Sequence, residues 1–281
     1  MKGCISLMLD KEFKKLEKQS TNLRIMIIIQ FICLILIGIS IVCIVGNYTK
    51  SSTNIKSITL SVSGFLAILI FCIISKLINK NKEKFKTNYY DMIMLPIVKK
   101  VNANWIYLDK INISEINREL ILSGFYDSNT DRLFTEKSIK GKINIDINIQ
   151  IHQLSSIDII RYEQFRKLKK LFNGLFAVVE TNIDKEYNLS IEGTNSLVKT
   201  SSTLNDIKIK KIAETFYKDT LFDFDLVIKN GKIYFRIFSG NRFTENIFKK
   251  LIDKKELENY YLTLKFIQEI SNEIIRVTYN K

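Results

Sequence analysis

The sequence has 281 residues, a formal net charge of +14 and 46% hydrophobic residues, many of them in two long runs before residue 80. This length accommodates one large domain or two ordinary ones. Residues 1–80 contain ten basic and three acidic side chains, so half of the net charge lies there and the rest of the chain is only mildly basic. This distribution argues against a nucleic-acid-binding protein, which would concentrate basic residues on one surface.

Cysteines and catalytic motifs indicate no reaction. The four cysteines all lie before residue 80 and include no CxxC pair, which argues against a disulfide framework or a zinc site. The sequence lacks a P-loop, a GxGxxG turn, a GxSxG elbow and an HExxH helix. We therefore expect no enzyme, no cofactor and no metal site. A catalytic site assembled from dispersed acids and lysines remains an open alternative.

Two apolar runs near the N-terminus have the length of membrane-spanning helices. They cover residues 25–46 and 57–75, and about 20 apolar residues cross a bilayer as a helix. The short polar link between them, NYTKSSTNIK, predicts a helical hairpin in which each helix satisfies its own backbone hydrogen bonds. A cleaved signal peptide does not fit, because the first run is too long and no cleavage site follows it.

Basic residues flank the outer ends of the two runs. They are Lys11, Lys14, Lys15, Lys18 and Arg24 before the first run, and Lys76, Lys80, Lys82, Lys84 and Lys86 after the second. The link between the runs carries only Lys50 and Lys56. By the positive-inside rule, both ends of the hairpin face the cytoplasm, and the rest of the chain is a cytoplasmic domain.

The pattern divides the chain into four parts. Residues 1–23 form an amphipathic cytoplasmic N-terminus, 24–78 the transmembrane hairpin, 79–104 a helical stalk and 105–281 a cytoplasmic α+β domain. The N-terminal part is either a helix on the inner leaflet or a helical lead-in to the first span. In the stalk, Pro96 should kink or end the helix, because proline lacks an N–H and clashes with the preceding turn.

The first half of the C-terminal domain predicts a helix, a loop and a long strand. In NISEINRELILSGF, Asn112 is a candidate N-cap and Gly124 suits the helix end. A polar loop, YDSNTDRLFTEKS, follows. The segment GKINIDINIQIHQ alternates isoleucine with polar residues, which predicts one long strand with a polar face. We expect Asp146 and His152 on that face, solvated and too far apart to act as a pair.

The segment RYEQFRKLKK at 161–170 is the most basic stretch of this domain. It is either a contact for phospholipid headgroups or nucleic-acid phosphates, of which lipid is the better partner, or a solvated loop or helix face. The candidate lipid or phosphate contacts are three stalk lysines and the basic residues of this segment. They are Lys82, Lys84, Lys86, Arg161, Arg166, Lys167, Lys169 and Lys170.

The following segments predict a mixed, mainly antiparallel sheet packed with helices. LFNGLFAVVET at 171–181 predicts a strand buried on both faces, with Gly174 at a bulge or a close packing contact. YNLSIEG is another candidate strand. Asn230-Gly231 predicts a type I′ turn between two alternating strands.

Acidic residues in the C-terminal part have structural interpretations. The pair Asp223 and Asp225 is expected to be solvated rather than to form a carboxylate site. NDIKIKKIAETFYKD predicts an amphipathic helix, and Asp253 with Glu256 matches the capping box of a C-terminal helix. That helix carries an apolar stripe expected to pack on the sheet, formed by Leu257, Tyr260, Leu264, Ile267, Ile270 and Ile274.

The order of these motifs resembles a family of bacterial membrane proteins, domain of unknown function 3137. The similarity covers roughly residues 20–277 and centres on LFNGLFAVVET. The two spans, SGFYDSNTDRLF, the glycine of EKSIKG and the hairpin VIKNGKIYFRI follow the order of that family. The resemblance implies this architecture in a bacterial cytoplasmic membrane. It implies no activity, because none is known for the family.

The leading functional hypothesis is an integral membrane protein that presents a binding or scaffold domain at the inner leaflet. Its expected partners are the lipid bilayer and a further protein, and not nucleic acid. One alternative is a sensor of anionic lipids or phosphate ligands that uses segment 161–170. The other is the enzyme with a dispersed site.

Overall fold

The computed structural model describes residues 4–48, 55–108, 111–126, 132–144, 146–161, 166–181, 183, 187–191, 199–201, 207–240 and 254–279. They form two compact units, which divide between Met94 and Leu95. The first unit contains both apolar runs, and the second contains a β-sheet with helices. The predicted α+β fold class is confirmed, and every strand pair in the described sheet is antiparallel.

Two long helices make up most of the first unit. α1 spans Cys4–Tyr48 and α2 spans Ile55–Tyr89. Buried and half-buried side chains recur every seven residues, at 16, 23, 30, 37 and 19, 26, 33, 40 of α1, and at 64, 71, 78, 85 and 67, 74, 81, 88 of α2. This spacing is the heptad pattern of a coiled coil, in which one stripe of each helix faces its partner.

Polar contacts set the register of this coiled coil. Asn88 Nδ2 donates to Gln19 Oε1 over 3.1 Å, and Gln30 Nε2 donates to Ser75 Oγ over 2.7 Å. A Cβ placed on Gly64 would lie 3.0 Å from a side chain of α1, so glycine permits close approach of the helices there. Residue numbers fall along α2 as they rise along α1, which makes the two helices antiparallel.

The outward surface of the two helices is apolar along residues 25–42 and 64–75, the parts of the predicted spans whose side chains are described. Large hydrophobic side chains are exposed there, including Phe31, Val42, Phe65 and Leu66. Both helices are long and apolar enough to cross a membrane. The expectation of two apolar helices of spanning length is therefore confirmed.

The N-terminal part of α1 is continuous with the helix of the first apolar run. α1 continues without a break from Cys4 to Tyr48. Leu16 and Leu23 are buried at heptad positions. The apolar stripe of this part therefore continues the stripe of the coiled coil.

The helix that follows the second run does not end at Pro96. α2 passes into a π-helical segment at Tyr90–Met94, and α3 then spans Leu95–Val101. Proline offers no N–H, and its ring clashes with the carbonyl four residues earlier. A π-helical turn interrupts the regular hydrogen-bond ladder, and here it does so directly before Pro96. The helix therefore changes from α to π before Pro96 and continues as an α-helix, instead of ending there.

The second unit contains eight described strands and three further helices besides α3. The strands are β1 (Ile106–Leu108), β2 (Arg132–Asn144), β3 (Ile147–Arg161), β4 (Arg166–Glu180), β5 (Tyr187–Ile191), β6 (Lys199–Ser201), β7 (Phe224–Lys229) and β8 (Lys232–Ile237). The helices are α4 (Ile113–Leu122), α5 (Ile207–Thr220) and α6 (Lys254–Tyr279). The strands form one sheet in the order β1-β2-β3-β4-β8-β7-β5-β6.

α4 packs on one face of the sheet. Ile116 and Leu120 belong to a buried cluster with Phe176, Val178 and Tyr234, which project from β4 and β8. The N-cap prediction is confirmed, because the Asn112 side chain accepts a hydrogen bond from the backbone N–H three residues later. α4 is thus fixed over the middle of the sheet.

α5 and α6 pack on the opposite face. Phe266 of α6 stacks on Phe216 of α5 with ring centroids 4.1 Å apart, and it also contacts Phe224 of β7 and Phe235 of β8. The predicted apolar stripe of α6 is buried along its length. This confirms its packing on the sheet, while the predicted cap residue Asp253 lies outside the described residues.

The isoleucine-rich segment forms a hairpin and not one long strand. β2 ends at Asn144 and β3 begins at Ile147. A plain two-residue turn would place odd-numbered residues opposite even-numbered ones. An irregularity between Lys142 and Asn144 shifts the register by one residue, so Ile139 lies opposite Ile151. The alternation therefore stays in phase across the turn, which is why the sequence resembles a single strand.

Two segments predicted as loops are strands. β2 begins at Arg132, inside the predicted polar loop. The basic segment supplies the end of β3 and the start of β4, with Arg161 opposite Arg166. For residues 161 and 166–170 the loop and helix interpretations are wrong, because these residues pair in β3 and β4, while residues 162–165 lie outside the described part of the chain.

Two glycine predictions are confirmed. A Cβ on Gly174 would lie 1.9 Å from the Ile237 carbonyl oxygen, so the approach of β8 to β4 requires glycine there. Asn230 and Gly231 have φ angles of 52° and 72°. These positive values are those of a type I′ turn, which joins β7 to β8.

Candidate functional site

A cavity of about 270 Å³ lies between α4 and the sheet, within the second unit. Its roof comes from α4, through Asn112, Glu115, Ile116 and Glu119, and its floor comes from β2, β3, β4 and β8. Concave sites in which a few polar groups converge are the usual locations of small-molecule binding. This cavity is the strongest candidate site among the described residues.

The strand register fixes the order of the floor residues. On β2, Lys140 lies two residues from Ser138, which is opposite His152 of β3. Towards the other end of the cavity, Glu180 of β4 is opposite Lys232 of β8. Neighbouring strands lie about 4.8 Å apart and alternate residues share a face, so these side chains project into the same space.

His152 is buried, which corrects the expectation of a solvated histidine. Only 4% of its surface is exposed, and its ring stacks on Phe176 with centroids 6.4 Å apart. Asp146 lies in the turn before β3 and is exposed. Alternation separates the two faces of a strand, but it does not show which part of the polar face a helix will cover.

The imidazole of His152 is neutral and has a defined tautomer. Its Nδ1 lies 2.6 Å from the buried Ser138 Oγ, and burial lowers the pKa of His152 from 6.5 to about 4. No other described atom accepts a hydrogen bond from the Ser138 hydroxyl, so this hydroxyl donates to Nδ1. Nε2 then carries the ring proton.

The Nε2 atom of His152 has no hydrogen-bond partner among the residues that the structure describes. His152 lines the cavity. Buried polar groups in folded proteins nearly always have a partner. Nε2 of His152 is not among the fully buried polar atoms that lack a partner, so water in the cavity can satisfy it.

Glu119 is a buried carboxylate in the cavity roof that the sheet neutralises. Lys232 Nζ donates to its Oε1 over 2.9 Å, and the Tyr234 hydroxyl donates to its Oε2 over 3.1 Å. Burial, together with the nearby Glu119 carboxylate, raises the pKa of Tyr234. Sequence analysis missed Glu119, although a charged residue between Ile116 and Leu120 on the apolar side of α4 was a usable signal.

Three other charged groups line the cavity and are not neutralised by the described residues. The Glu115 carboxylate and the Lys140 ammonium form no ion pair there, and Glu180 Oε2 accepts only an amide hydrogen from Asn148 over 2.9 Å. All three side chains are exposed to solvent, which screens their charges. In the described part of the chain, no three His, Cys, Asp or Glu side chains are placed to hold a metal ion.

Asp225 is paired, which corrects the expectation of two solvated aspartates. Arg236 donates to Asp225 Oδ2 from Nε over 2.8 Å and from Nη2 over 2.6 Å. The guanidinium also lies 4.6 Å from the ring centroid of Phe125 and 5.1 Å from that of Phe238. Asp223 is half-buried at the start of β7. This pairing gives Asp225 a structural role on the sheet.

The predicted basic contacts occur in both units. Lys82 and Lys84 are exposed on α2, and Lys86 is half-buried. Arg161 ends β3, and Arg166, Lys167, Lys169 and Lys170 lie in β4. The side chains of these five residues lie outside the described part of the structure. Their contact with lipid or phosphate stays a prediction.

Exposed lysines surround the coiled coil where the apolar runs end. Asn81 Nδ2 lies 3.5 Å from Met26 Sδ, so the lysines near Asn81 are level with the start of the first run on α1. We call this set the basic collar, and it comprises Lys18, Lys76, Lys80, Lys82 and Lys84, all of them exposed. The five exposed lysines are spread along roughly 20 Å of the helix axis, at 1.5 Å per residue, and they give this end of the hairpin a positive charge.

Comparison with known proteins identifies no relative. No known protein family matches the chain, and neither the curated proteins nor the solved structures include a significantly similar one. The resemblance to domain of unknown function 3137 therefore stays a prediction. The functional interpretation depends on the physical features of the chain itself.

Proposed function

We propose that this protein is an integral membrane protein whose α1–α2 hairpin crosses a bacterial cytoplasmic membrane and holds the sheet domain at the cytoplasmic face as a binding module. The observation that carries the proposal is the polarity of the coiled coil. Its exposed surface is apolar along the described parts of both runs, while Gln30 and Ser75 form a hydrogen bond between the helices. A soluble coiled coil has an apolar seam and a charged outer surface instead.

Lipid accounts for both features of the hairpin. Leaving apolar surface in water costs about 25 cal/mol per Å², and the described parts of both runs carry many exposed apolar side chains. Within hydrocarbon, a polar side chain needs a partner in the protein because no water is present. The hydrogen bond between Gln30 and Ser75 supplies that partner for both residues.

The basic collar supports the cytoplasmic orientation. Its lysines flank the outer ends of the two runs, whereas the link at 47–56 contains only Lys50 and Lys56. Lysine and arginine accumulate on the cytoplasmic side of membrane proteins. Each basic residue near an anionic leaflet adds about 1 kcal/mol of attraction, so the collar would hold this end of the hairpin at the headgroups.

A binding role suits the sheet domain better than a catalytic one. His152 has a hydroxyl partner, but that hydroxyl belongs to Ser138, which is completely buried. A nucleophile must reach its substrate, and Ser138 does not line the cavity. The cavity therefore offers fixed charges and a hydrogen-bond donor without an accessible nucleophile beside the histidine.

Two measurements on the full chain test the membrane proposal. Alkaline carbonate extraction should leave the protein in the membrane fraction, because two apolar helices are embedded in lipid. A green fluorescent protein fused after Lys281 should fluoresce, and alkaline phosphatase at the same position should be inactive. The matched fusions in the link at 49–54 should give the reverse. Release by carbonate, or an active phosphatase after Lys281, would contradict the proposal.

Exposure of the basic collar favours a second function, the recognition of anionic lipids. Lys82 and Lys84 project outward beside the apolar runs, where headgroup phosphates would lie. In native mass spectrometry from nanodiscs of mixed phosphatidylglycerol and phosphatidylcholine, the full chain should retain phosphatidylglycerol preferentially.

Two matched variants distinguish lipid binding by the basic collar from an effect of the total net charge of the protein. The variant with Lys80, Lys82 and Lys84 changed to Gln should lose most of the lipid preference. The control with Lys211, Lys218 and Lys229 changed to Gln removes the same charge from the sheet domain and should keep it. Equal losses in both variants would show that net charge alone causes the preference.

A further inference from the structure

We infer that one anionic phospholipid binds with its headgroup phosphate in a crevice between α1 and α2, at the cytoplasmic end of the apolar runs. This inference rests on the proposed recognition of anionic lipids by the basic collar, and it names the site of that recognition. The crevice has a volume of about 130 Å³ and lies within the first unit. It is lined by Gln19, Asn22 and Leu23 of α1 and by Asn81 and Lys84 of α2.

Two contacts between the helices mark the two ends of this crevice. Towards the apolar runs, Asn81 Nδ2 lies 3.5 Å from Met26 Sδ, and at the other end Asn88 Nδ2 donates to Gln19 Oε1 over 3.1 Å. Asn81 and Asn88 are one heptad apart on α2, which is about 10 Å at 1.5 Å per residue. The crevice is therefore short, and both of its ends are held by contacts between the two helices.

Amide side chains at the coiled-coil seam account for the opening. Gln19 and Asn81 are half-buried at heptad positions, where a coiled coil usually places apolar side chains. Leu23 forms the floor, with 2% of its surface exposed, and Asn22 and Lys84 are exposed at the rim. A polar residue at the seam lowers the stability of a coiled coil. A ligand that binds these amides would offset that cost.

The lining offers hydrogen-bond donors and one positive charge. Gln19 Oε1 accepts from Asn88, which leaves the two N–H groups of Gln19 Nε2 to donate, and no described residue accepts from them. Asn22 forms no hydrogen bond and Lys84 no ion pair with a described residue. Water satisfies these exposed groups when no lipid is bound. Phosphate oxygens accept hydrogen bonds from amides and, more strongly, from an ammonium.

The depth of the crevice matches the headgroup region of a bilayer. Asn22 and Gln19 precede the first apolar run at 25–46 by about 4.5 and 9 Å along the helix. The headgroup region extends about 5–7 Å beyond the hydrocarbon on each side, so Asn22 lies at the level of the phosphates. Basic pockets between transmembrane helices on the cytoplasmic side bind anionic headgroups in other proteins.

Size and charge limit the ligand. The volume of about 130 Å³ is well below the roughly 300–1,000 Å³ of pockets for drug-sized molecules, so the crevice takes a phosphate group and not a nucleotide. The acids nearest to it in sequence, Glu17 and Glu83, do not line it. The ammonium of a choline headgroup would lie beside Lys84, and like charges repel. Phosphatidylglycerol, which carries no ammonium, is therefore preferred over phosphatidylcholine.

Two matched pairs of single variants test the crevice in the full chain. Native mass spectrometry from nanodiscs of mixed phosphatidylglycerol and phosphatidylcholine should show one retained phosphatidylglycerol. Lys84→Gln should lower its occupancy about fivefold. Lys82→Gln removes the same charge from an exposed position outside the crevice and should leave the occupancy nearly unchanged. Asn22→Ala should lower it about threefold without a change of charge, whereas Asn79→Ala, also exposed and outside the crevice, should not.

A second sample distinguishes lipid phosphate from free phosphate. Nanodiscs of phosphatidylcholine alone, with inorganic phosphate added, should give no phosphate adduct. An adduct that Asn22→Ala removes would assign the crevice to the free anion and overturn the lipid assignment. Equal losses in Lys82→Gln and Lys84→Gln, or no effect of Asn22→Ala, would overturn the crevice and leave recognition by the collar as a whole intact. No retained phosphatidylglycerol in the unmodified chain would overturn both, while the fusion and extraction results on membrane topology would stand.

Discussion

Ser138 Oγ lies 2.6 Å from His152 Nδ1, and both side chains are buried on the sheet face that carries α4. Cross-strand pairing of β2 with β3 places the two residues directly opposite each other. The contact orients the imidazole and assigns its proton to Nε2. The chemistry of the cavity therefore depends on a residue that does not line it.

The protonation of His152 should make stability depend on pH. Its pKa of about 4 in the folded protein lies below the ordinary value of 6.5, so the unfolded chain takes up the proton first. Stability from this residue is therefore complete above pH 6.5 and falls as the pH drops towards 4. The full loss is about 3 kcal/mol, at roughly 1.4 kcal/mol per pKa unit.

NMR titration and denaturation together check this dependence. The resonance of the single histidine gives the pKa of the folded protein directly. Unfolding of the second unit can be followed by the fluorescence of Trp105, the single tryptophan, which is buried. His152→Gln removes the histidine contribution, so the difference between the two pH profiles isolates it. A histidine that titrates near pH 6.5 would contradict a buried neutral ring.

Removal of the Glu119 carboxylate should destabilise the sheet domain. Glu119→Ala leaves Lys232 and the Tyr234 hydroxyl without their acceptor, and loss of one partner from a buried polar network costs about 3 kcal/mol. Glu119→Gln should cost less, because its amide oxygen still accepts from one of the two donors. Glu115→Ala, an exposed position on the same helix, should change stability by about 0.5 kcal/mol or less. Equal effects at both positions would show that the network contributes nothing.

Gly174→Ala tests the close approach of β4 and β8. A Cβ would lie 1.9 Å from the Ile237 carbonyl oxygen. This oxygen belongs to the backbone of β8, which cannot move aside as a flexible side chain can. Overpacking of this kind costs about 3 kcal/mol, measured as a lower denaturant midpoint of Trp105 fluorescence. Ser155→Ala, on the neighbouring strand β3 and half-buried, is the control and should have little effect. A stable Gly174→Ala protein would mean that the strands are less tightly packed.

Local signals in the sequence predicted much of the fold. Three predictions about single positions are confirmed. They are the N-cap at Asn112, the turn at Asn230-Gly231 and the close packing contact at Gly174. The apolar runs and the stripe of α6 were also predicted correctly, because burial and helical periodicity agree there. These features depend on residues close in sequence.

Features set by distant residues were not predictable. The bulge near Lys142 kept the isoleucine alternation in phase, so the turn between β2 and β3 left no break in the pattern. The cavity was missed because it needs α4 over the polar face of β3, a contact between segments far apart in sequence. Gln19 and Asn88 likewise gave no sign of their partnership, because each is an ordinary polar residue until the helices pair.

The antiparallel register of α1 and α2 can be tested by disulfide formation. Asn88 Nδ2 lies 3.1 Å from Gln19 Oε1, so cysteines at positions 19 and 88 should crosslink within one chain. Both cysteine pairs are introduced into a variant in which the four native cysteines are replaced by Ala. Oxidation of membranes that contain Gln19→Cys with Asn88→Cys should yield a monomeric species whose gel mobility changes on reduction. Gln19→Cys with Asn81→Cys, two helical turns away, is the matched control and should remain reduced. Crosslinking of the control pair, or only intermolecular products from the first pair, would exclude this register.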